Sequence, residues 1–288
     1  MAFILLLITL IGSYFGMATK VKVAIVTGSN KGIGFEIARG LVNDGGFRVL
    51  MACRNEELGR SAAAELGAEF CGPLDICSSE SIENFPAALK KLSVDRVDVL
   101  INNAAMAFKG ADPTPHNDQA EPTLKGNTFG TITLTKTLLP LMKGSNTGGK
   151  SRIINVASFA GGLKILKNKE RRLELDDILS SASDDRLVSW CREFVKDTSN
   201  GDQASKGWPT TNYGFSKLAI IAYTKILARQ EPEILVNAVC PGWCATSMSS
   251  HRGPRSAAKG AETPLFLAKS STVTDSGNFY QDLEKMEW

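Results

Sequence analysis

The sequence predicts an α/β protein in which helices cover both faces of a doubly wound parallel sheet. Short runs rich in β-branched residues alternate with helical stretches of roughly 10–15 residues, a glycine-rich turn joins the first run to the first helix, and no Pro/Gly/Ser-rich linker divides the chain. With 288 residues, 43% of them apolar, the chain is long enough to bury a substantial core. We therefore expect one domain over residues 20–288.

The strand and helix candidates follow in alternating order. The first run, VKVAIVT, is mostly β-branched and ends at a glycine, which is typical of a buried strand. The predicted strands are residues 21–27, 47–53, 69–75, 96–103, 152–158 and 233–240. The first helix, 33–44, has apolar residues at helical spacing (Ile33, Ile37 and Leu41), and further helices are predicted over 56–67 and, despite Pro86, over 78–93.

The turn TGSNKGIG (27–34) lies between the first strand and the first helix. Its glycines allow a tight turn and bring backbone amides close to a pyrophosphate, and the helix dipole favours phosphate at that end. In this position the turn predicts a Rossmann-like dinucleotide site. We expect the cofactor to contact Gly28, Asn30, Lys31, Gly32, Ile33 and Gly34.

The end of the second strand indicates which dinucleotide binds. An NAD site usually places an acidic residue about 20 residues after the loop, where it binds the ribose 2′-hydroxyl. Here that position is Arg54, 20 residues after Gly34, and Lys31 adds a second positive charge nearby. A guanidinium can bind a 2′-phosphate with two hydrogen bonds, so NADPH/NADP is the predicted cofactor.

Several motifs in order resemble the short-chain dehydrogenase/reductase family over residues 21–288. They are the glycine loop, NNA (102–104), Asn127 in GNTFGT, Ser158 after the fifth strand, Tyr213-x-x-x-Lys217 and the PG pair at 241–242. Longer stretches such as GWPTTNYGFSK, CPGWCATSM and GAETPLFLA resemble its NADPH-dependent carbonyl reductase branch. The resemblance implies reduction of ketones, aldehydes and quinones to alcohols, with a small-molecule carbonyl as substrate.

The predicted catalytic residues are Asn127, Ser158, Tyr213 and Lys217. A phenol is a suitable proton donor to a carbonyl oxygen that gains negative charge, but its reference pKa near 10 is high for work near neutrality. Lys217 lies one helical turn from Tyr213, where its charge would lower that pKa. Ser158 would donate a hydrogen bond to the same oxygen. By resemblance, Asn127 would hold a water that links Lys217 to solvent.

The resemblance also implies further contacts. Asp75 is expected beside the adenine, Asn103 beside its ribose, and Pro241, Gly242 and Thr246 along the nicotinamide side. Lys109, Gln119 and Trp243 match positions of the substrate cleft. The alternative for Lys109 is an exposed charged residue of a loop with no substrate contact.

Two departures from the family pattern concern Ala105 and the serine motif. Ala105 replaces the glycine of the usual NNAG, which is expected to loosen the cofactor fit. The serine motif is NVAS followed by FA, which is expected to alter substrate preference. A catalytically retired NADP-binding sensor or scaffold is the alternative function; Ala105 is its only support, since tyrosine and lysine are both present.

The segment of about 164–208 is a predicted helical insertion before the catalytic tyrosine. Ser158 and Tyr213 stand 55 residues apart, whereas most relatives keep them closer and associate through the helices that carry the asparagine and the tyrosine. Within the insertion, 170–181 and 185–198 have helix-spaced apolar residues, and the second carries a stripe (Leu187, Trp190, Cys191, Phe194 and Val195). We expect the stripe to cover the dimerisation flank and make the protein a monomer; the rival interpretation is a new dimer interface.

Composition limits the remaining possibilities. Thirty-three basic and 30 acidic residues give a net charge of +3, too balanced for nucleic-acid binding, and no obligate protein partner is indicated. Six cysteines without CxxC pairing and two distant histidines predict buried reduced thiols and no metal site.

The apolar leader, residues 1–19, leaves three interpretations open. Its dense apolar part, 2–11, is about half of the roughly 20 residues that span a bilayer, and it lacks the basic n-region of a signal peptide. We expect a cytoplasmic enzyme with a spare or alternative-start leader; membrane association through residues 2–18 and a cleaved signal remain alternatives.

Overall fold

A computed structural model describes residues 21–144 and 149–288, so the predictions for the leader lie outside the described residues. One sheet organises this part of the chain, and its strand order is β3-β2-β1-β4-β5-β6-β7-β8. The strands are β1 Lys22–Thr27, β2 Phe47–Cys53, β3 Glu69–Pro73, β4 Val99–Asn102, β5 Ser151–Val156, β6 Ile234–Val239, β7 Phe279–Gln281 and β8 Glu284–Met286. All neighbouring pairs are parallel except β7–β8. The predicted doubly wound parallel sheet is confirmed.

Nine α-helices connect or flank these strands in the described residues. They are α1 Gly32–Asp44, α2 Glu56–Leu66, α3 Ser79–Lys91, α4 Ala120–Leu124, α5 Thr131–Met142, α6 Lys169–Ser181, α7 Asp184–Ser199, α8 Asn212–Gln230 and α9 Ala257–Lys269. A π-helical segment, Lys125–Gly130, joins α4 to α5, so that the backbone is helical without interruption over residues 120–142. No helix of the described ranges is long and apolar enough to cross a bilayer.

Alternating side chains of the central strands build two apolar layers, one on each sheet face. Ile25 and Leu100 face the layer formed with α3, α5 and α8, whereas Val26 and Ile101 face the layer formed with α1, α2 and α9. Because both faces are covered, the central strands are continuous apolar runs rather than alternating ones. Because β1, β4, β5 and β6 run parallel, their carboxyl ends meet at one edge of the sheet, and the candidate site lies there.

The insertion folds as the two predicted helices, α6 and α7, and packs against the outer side of α8. Its predicted stripe is buried throughout, with the exposed fraction of each side chain at or below 9%. Phe194 stacks on Phe215 of α8 at 3.8 Å between ring centroids, and Trp190 and Trp208 pack around the same ring at 5.0 and 5.6 Å. The stripe is thus covered within one chain.

Candidate active site

The turn between β1 and α1 forms the predicted glycine loop. Gly28 and Gly32 have φ angles of +62° and +60°, the left-handed region that favours glycine. A Cβ at Gly34 would lie 2.5 Å from the Gly28 carbonyl oxygen. Helix α1 begins after Lys31, which provides no side-chain cap, whereas Asn55 caps α2. The first N–H groups of α1 are therefore available to a phosphate, as a dinucleotide site requires.

Asn103 and Thr27 fasten this loop to the end of β4. The Thr27 hydroxyl accepts hydrogen bonds from the backbone N–H groups of Asn103 and Ala104, both at 3.0 Å. The Asn103 side-chain amide donates to the carbonyl oxygens of Thr27 and Gly28 at 2.9 and 3.2 Å. Asn103 therefore fixes the loop conformation, a structural task that the sequence did not indicate.

The glycine-loop cavity is a cleft of about 300 Å³ at the carboxyl edge of the sheet. Its walls include all the predicted loop residues (Gly28, Asn30, Lys31, Gly32, Ile33 and Gly34) together with Arg54, Asp75, Asn103 and Thr246. Arg54 and Lys31 are exposed, and the half-buried Asp75 carboxylate accepts a hydrogen bond from Cys77 N at 2.9 Å. The structure thus brings two positive charges to the edge of this cleft.

The tyrosine cavity, of about 440 Å³, adjoins the first. It is lined by Ser158, Tyr213, Lys217, Pro241, Gly242 and Trp243. Five residues line both cavities: Ile33, Asn103, Ala105, Thr246 and Met248. The two cavities therefore form one groove, in which an extended ligand can reach from Arg54 to Tyr213.

Tyr213 and Lys217 lie on the first two turns of α8, which begins at its Thr211 cap. The Lys217 ammonium lies 5.7 Å from the centre of the Tyr213 ring and donates to the Val156 carbonyl at 2.8 Å. Burial, with 4% of Lys217 exposed, lowers the pKa of the ammonium to about 8. Burial raises the pKa of the Tyr213 phenol to about 12, Cys240 acts in the same direction, and the Ser158 hydroxyl acts against it. At neutral pH both groups therefore hold their protons. The prediction that Lys217 lowers the pKa of the phenol was wrong for this structure, because burial of Tyr213 raises that pKa.

Ser158 follows β5 and faces Tyr213 across the cavity. Its hydroxyl accepts a hydrogen bond from Ala160 N at 3.2 Å, which caps a short 3₁₀ turn, Phe159–Gly161. Beneath the turn, the Cys240 sulfur accepts from Phe159 N at 3.2 Å and from Gly242 N at 3.4 Å. Cys240 thereby joins the ends of β5 and β6 behind the phenol.

Asn127 is buried in the π-helical segment, beside the tyrosine helix. Its side chain accepts from Met106 N and donates to Met106 O, both at 2.8 Å, and also donates to the Ser216 hydroxyl at 3.1 Å. The Asn127 amide thus joins the loop after β4 to α8, and π-helical segments often occur at functional sites.

The structure does not bring Lys109 and Gln119 to either cavity. Lys109 is exposed, and the Gln119 amide donates to the Thr114 carbonyl at 2.7 Å. Their predicted substrate contacts therefore stay predictions, without support from the cavity walls. Trp243, the third predicted substrate residue, does line the tyrosine cavity.

Phe159, the first residue after the serine motif, and Met248, which the sequence analysis did not single out, are wall residues. Both are apolar yet exposed, with 51% and 39% of their surfaces open, and they border the same cavity as Trp243, which is 55% exposed. Phe159 follows Ser158 directly, so its position in the motif was a usable signal. Met248 lies in an irregular loop, for which the sequence carries no comparable signal.

The fold and this groove define a dinucleotide-dependent oxidoreductase, and the chain belongs to the short-chain dehydrogenase family. The family model for "short chain dehydrogenase" matches residues 22–168. The chain is 39% identical to mouse (Mus musculus) carbonyl reductase (NADPH) 1 over 284 residues, covering 94% of this chain and all of that protein. It is 41% identical to rat (Rattus norvegicus) carbonyl reductase (NADPH) 3 over 262 residues, covering 88% and 92%.

A solved structure shows the same fold. The salutaridine reductase of Papaver somniferum superimposes with a TM-score of 0.80 at 29% identity, covering 90% of this chain and 99% of that chain.

Proposed function

We propose that this protein reduces ketones, aldehydes and quinones to alcohols with NADPH as the hydride donor. One observation carries the proposal: Ser158, Tyr213 and Lys217 meet in a cavity that is continuous with the glycine-loop cavity. The names of the mammalian relatives, carbonyl reductases with NADPH, point to the same reaction.

The walls of the glycine-loop cavity fit a dinucleotide phosphate. The pyrophosphate would lie over the uncapped start of α1, and Arg54 and Lys31 would hold a 2′-phosphate by charge-assisted hydrogen bonds. Asp75 would border the adenine and Asn103 its ribose, while Pro241, Gly242 and Thr246 would border the nicotinamide. Ala105 lines both cavities, so its methyl group is the feature expected to loosen this fit.

The chemistry of the site follows from the two perturbed groups. When bound, NADPH supplies the hydride. The protonated Tyr213 phenol donates its proton to the substrate oxygen as that oxygen gains negative charge, and Ser158 donates a second hydrogen bond to it. The Lys217 charge stabilises the phenolate left behind. Asn127 would hold the water through which the proton is replaced.

The open part of the tyrosine cavity favours an apolar carbonyl substrate. Phe159, Trp243 and Met248 present their apolar surfaces there, and cavities of this kind bind the body of a ligand while a few polar groups orient it. Lys109 and Gln119 would contact only a substrate that extends beyond these walls.

A panel of carbonyls tests the function directly. The purified protein would be assayed with NADPH against aliphatic ketones, an aromatic aldehyde and menadione, with the Tyr213→Phe variant as control. Turnover of several members by the wild type and a large loss in the variant would support the proposal. The alternative, a retired sensor, predicts NADPH binding without turnover of any carbonyl, and it gains no support from a site in which tyrosine, lysine and serine are all in place.

We further propose that the protein is a monomer. The buried aromatic contacts of α7 with Phe215 support this, because they bury the outer side of α8 within one chain, and the resemblance implies association of relatives through that helix. Light scattering on a chain that starts at Met17 should give the mass of one chain. A mass near twice that value, persisting on dilution, would contradict the proposal.

A cytoplasmic location is proposed on the weaker ground that the sequence contains no N-x-S/T acceptor. Fractionation of cells that express the full chain would test it. Recovery in the membrane fraction that disappears when residues 2–16 are removed would favour the anchor instead.

A further inference from the structure

The turn that carries Ser158 lies directly against the main chain of the catalytic helix. Gly161 ends this 3₁₀ turn, and its N–H donates to the Ser158 carbonyl at 2.9 Å. A Cβ at Gly161 would come within 2.4 Å of Leu218 N and 2.5 Å of the Lys217 carbonyl carbon. The Ser158 turn and α8 are therefore in backbone contact, and a displacement of one moves Ser158 relative to Tyr213.

Trp288 supports this turn from its other side. Its indole N–H donates to the Gly161 carbonyl oxygen at 2.9 Å. The ring is half-buried against the apolar cluster that contains Ala157 and Cys240, and the Lys225 ammonium lies 5.5 Å from its centre. Since Lys225 is on α8, Trp288 contacts both partners, the turn through a hydrogen bond and the helix through a cation–π contact.

The β7–β8 hairpin brings Trp288 to this place. In its antiparallel pairing Phe279 lies opposite Met286, and β7 is itself hydrogen-bonded to β6. The tip of the hairpin is held by an ion pair between Arg255 and Asp282, with 2.7 Å between Nη2 and Oδ2. Trp288 thus follows β8 by two residues, and the pairing of β8 with the sheet restricts the position of its side chain.

We propose that Trp288 is a positioning residue for the reaction: it fixes the Gly161 turn and, through it, the distance of the Ser158 hydroxyl from the phenol of Tyr213. Trp288 itself lines neither cavity, so it acts through Ser158 and not on the substrate. This inference rests on the proposed function only in that Ser158 is taken to bind the substrate oxygen. The hydrogen bond from Trp288 to the Gly161 carbonyl oxygen does not depend on the proposed function.

The test uses Trp288→Phe, which removes the N–H donor and keeps an aromatic ring. The loss of one hydrogen bond predicts a roughly two- to tenfold fall in kcat for a ketone, with the Kd for NADPH unchanged. Tyr280→Phe is the matched control: it removes a hydroxyl that donates to Asp275 at 3.3 Å in the same hairpin, remote from the turn, and should leave kcat unchanged. An equal fall in both variants would overturn the proposal, because it would indicate general loosening of the hairpin.

A double-mutant cycle separates positioning from stability. In a Ser158→Ala background, Trp288→Phe should have no further effect on kcat, because the group that Trp288 positions is absent. Independent, multiplicative losses would contradict the proposal. A Ser158→Ala variant with normal kcat would refute the role of Ser158 in the proposed function. That outcome differs from a Trp288→Phe variant with normal kcat, which would contradict only the role of Trp288.

Nuclear magnetic resonance provides a readout that does not depend on activity. The chain has four tryptophans, so the indole N–H signal of Trp288 can be assigned by its disappearance in Trp288→Phe. That signal should exchange with solvent much more slowly than the signal of the exposed Trp243. Equal exchange rates would show that the bond to Gly161 does not persist and would overturn the inference even if the enzyme is active.

Discussion

Replacing Lys217 by methionine should stabilise the folded protein at neutral pH while removing most of its activity. Lys217 is almost fully buried, and its pKa falls from 10.5 to about 8 on folding. A lowered pKa of a base means that the folded state disfavours the charged form, here by about 3 kcal/mol at any pH below 8. Methionine has a similar length and carries no charge, so it does not have this desolvation penalty.

The sign of the pH dependence follows from the two pKa values. Below pH 8 both the folded and the unfolded wild type carry the ammonium, and the full penalty is present. Between about 8 and 10.5 the folded state loses the proton first, so the stability of the wild type rises with pH. The variant has no such titration, and its advantage should therefore shrink by about 3 kcal/mol across this window.

One further contact of Lys217 modifies the expected size of the stability gain. The variant loses the hydrogen bond to the Val156 carbonyl, and leaving that acceptor unpaired costs about 1–3 kcal/mol. The net gain at pH 7 is thus expected to be at most about 2 kcal/mol, but the pH-dependent part is unaffected by this loss. The difference between the two proteins is the quantity to measure.

Urea unfolding of wild type and Lys217→Met at pH 7, 8, 9 and 10 measures it, because groups common to both proteins cancel in the difference. The same variant should lose activity, since it lacks the positive charge that stabilises the phenolate; in the wild type the ammonium lies 5.7 Å from the centre of the Tyr213 ring. A stability difference that does not change from pH 7 to 10 would refute the reasoning, because it would mean that the Lys217 pKa is not lowered.

Three further substitutions test other parts of the site and the fold. Tyr213→Phe should keep NADPH binding and lower the turnover of a simple ketone by roughly 10²–10⁴-fold; near-normal turnover would refute the proton-donor assignment. Arg54→Asp should raise the KM for NADPH far more than the KM for NADH in steady-state assays, whereas Arg60→Asp on the neighbouring helix should not, and an unchanged preference would argue against the 2′-phosphate contact. Phe194→Ala should lower the free energy of unfolding in urea by about 3–5 kcal/mol, because this α7 ring is fully buried against Phe215 of α8. Leu173→Ala, at an exposed position, should change it little.

The sequence predicted the parts of the structure in which one physical pattern dominates. Each of the six strands predicted from the sequence appears in the structure within three residues of its predicted ends. The two insertion helices were also predictable, because their apolar residues have helical spacing, as in the stripe from Leu187 to Val195 of α7. In the site, the glycine loop and the Tyr213–Lys217 spacing are local, so their geometry could be anticipated.

Features that depend on contacts distant in sequence could not be predicted. Strands β7 and β8 have three residues each, and their turn has no glycine: Asp282 and Leu283 adopt φ angles of +50° and +70°. The loop after β4 follows local hydrogen bonds, such as Thr114 N to the Asp112 carboxylate at 3.0 Å, and these direct Gln119 away from the cavities. The pKa values of Tyr213 and Lys217 likewise depend on burial that spacing alone does not show.

The burial of α8 explains why the insertion and the active site depend on each other. The helix is almost entirely buried from Gly214 to Leu227, which a helix with one face toward solvent would not be. Its inner side contacts the sheet, whereas Phe215 on the outer side packs against aromatic rings of the insertion. Because Phe215 lies between Tyr213 and Lys217 in the sequence of α8, the packing of the insertion on Phe215 also supports these two residues, so a variant that weakens this packing should lose activity.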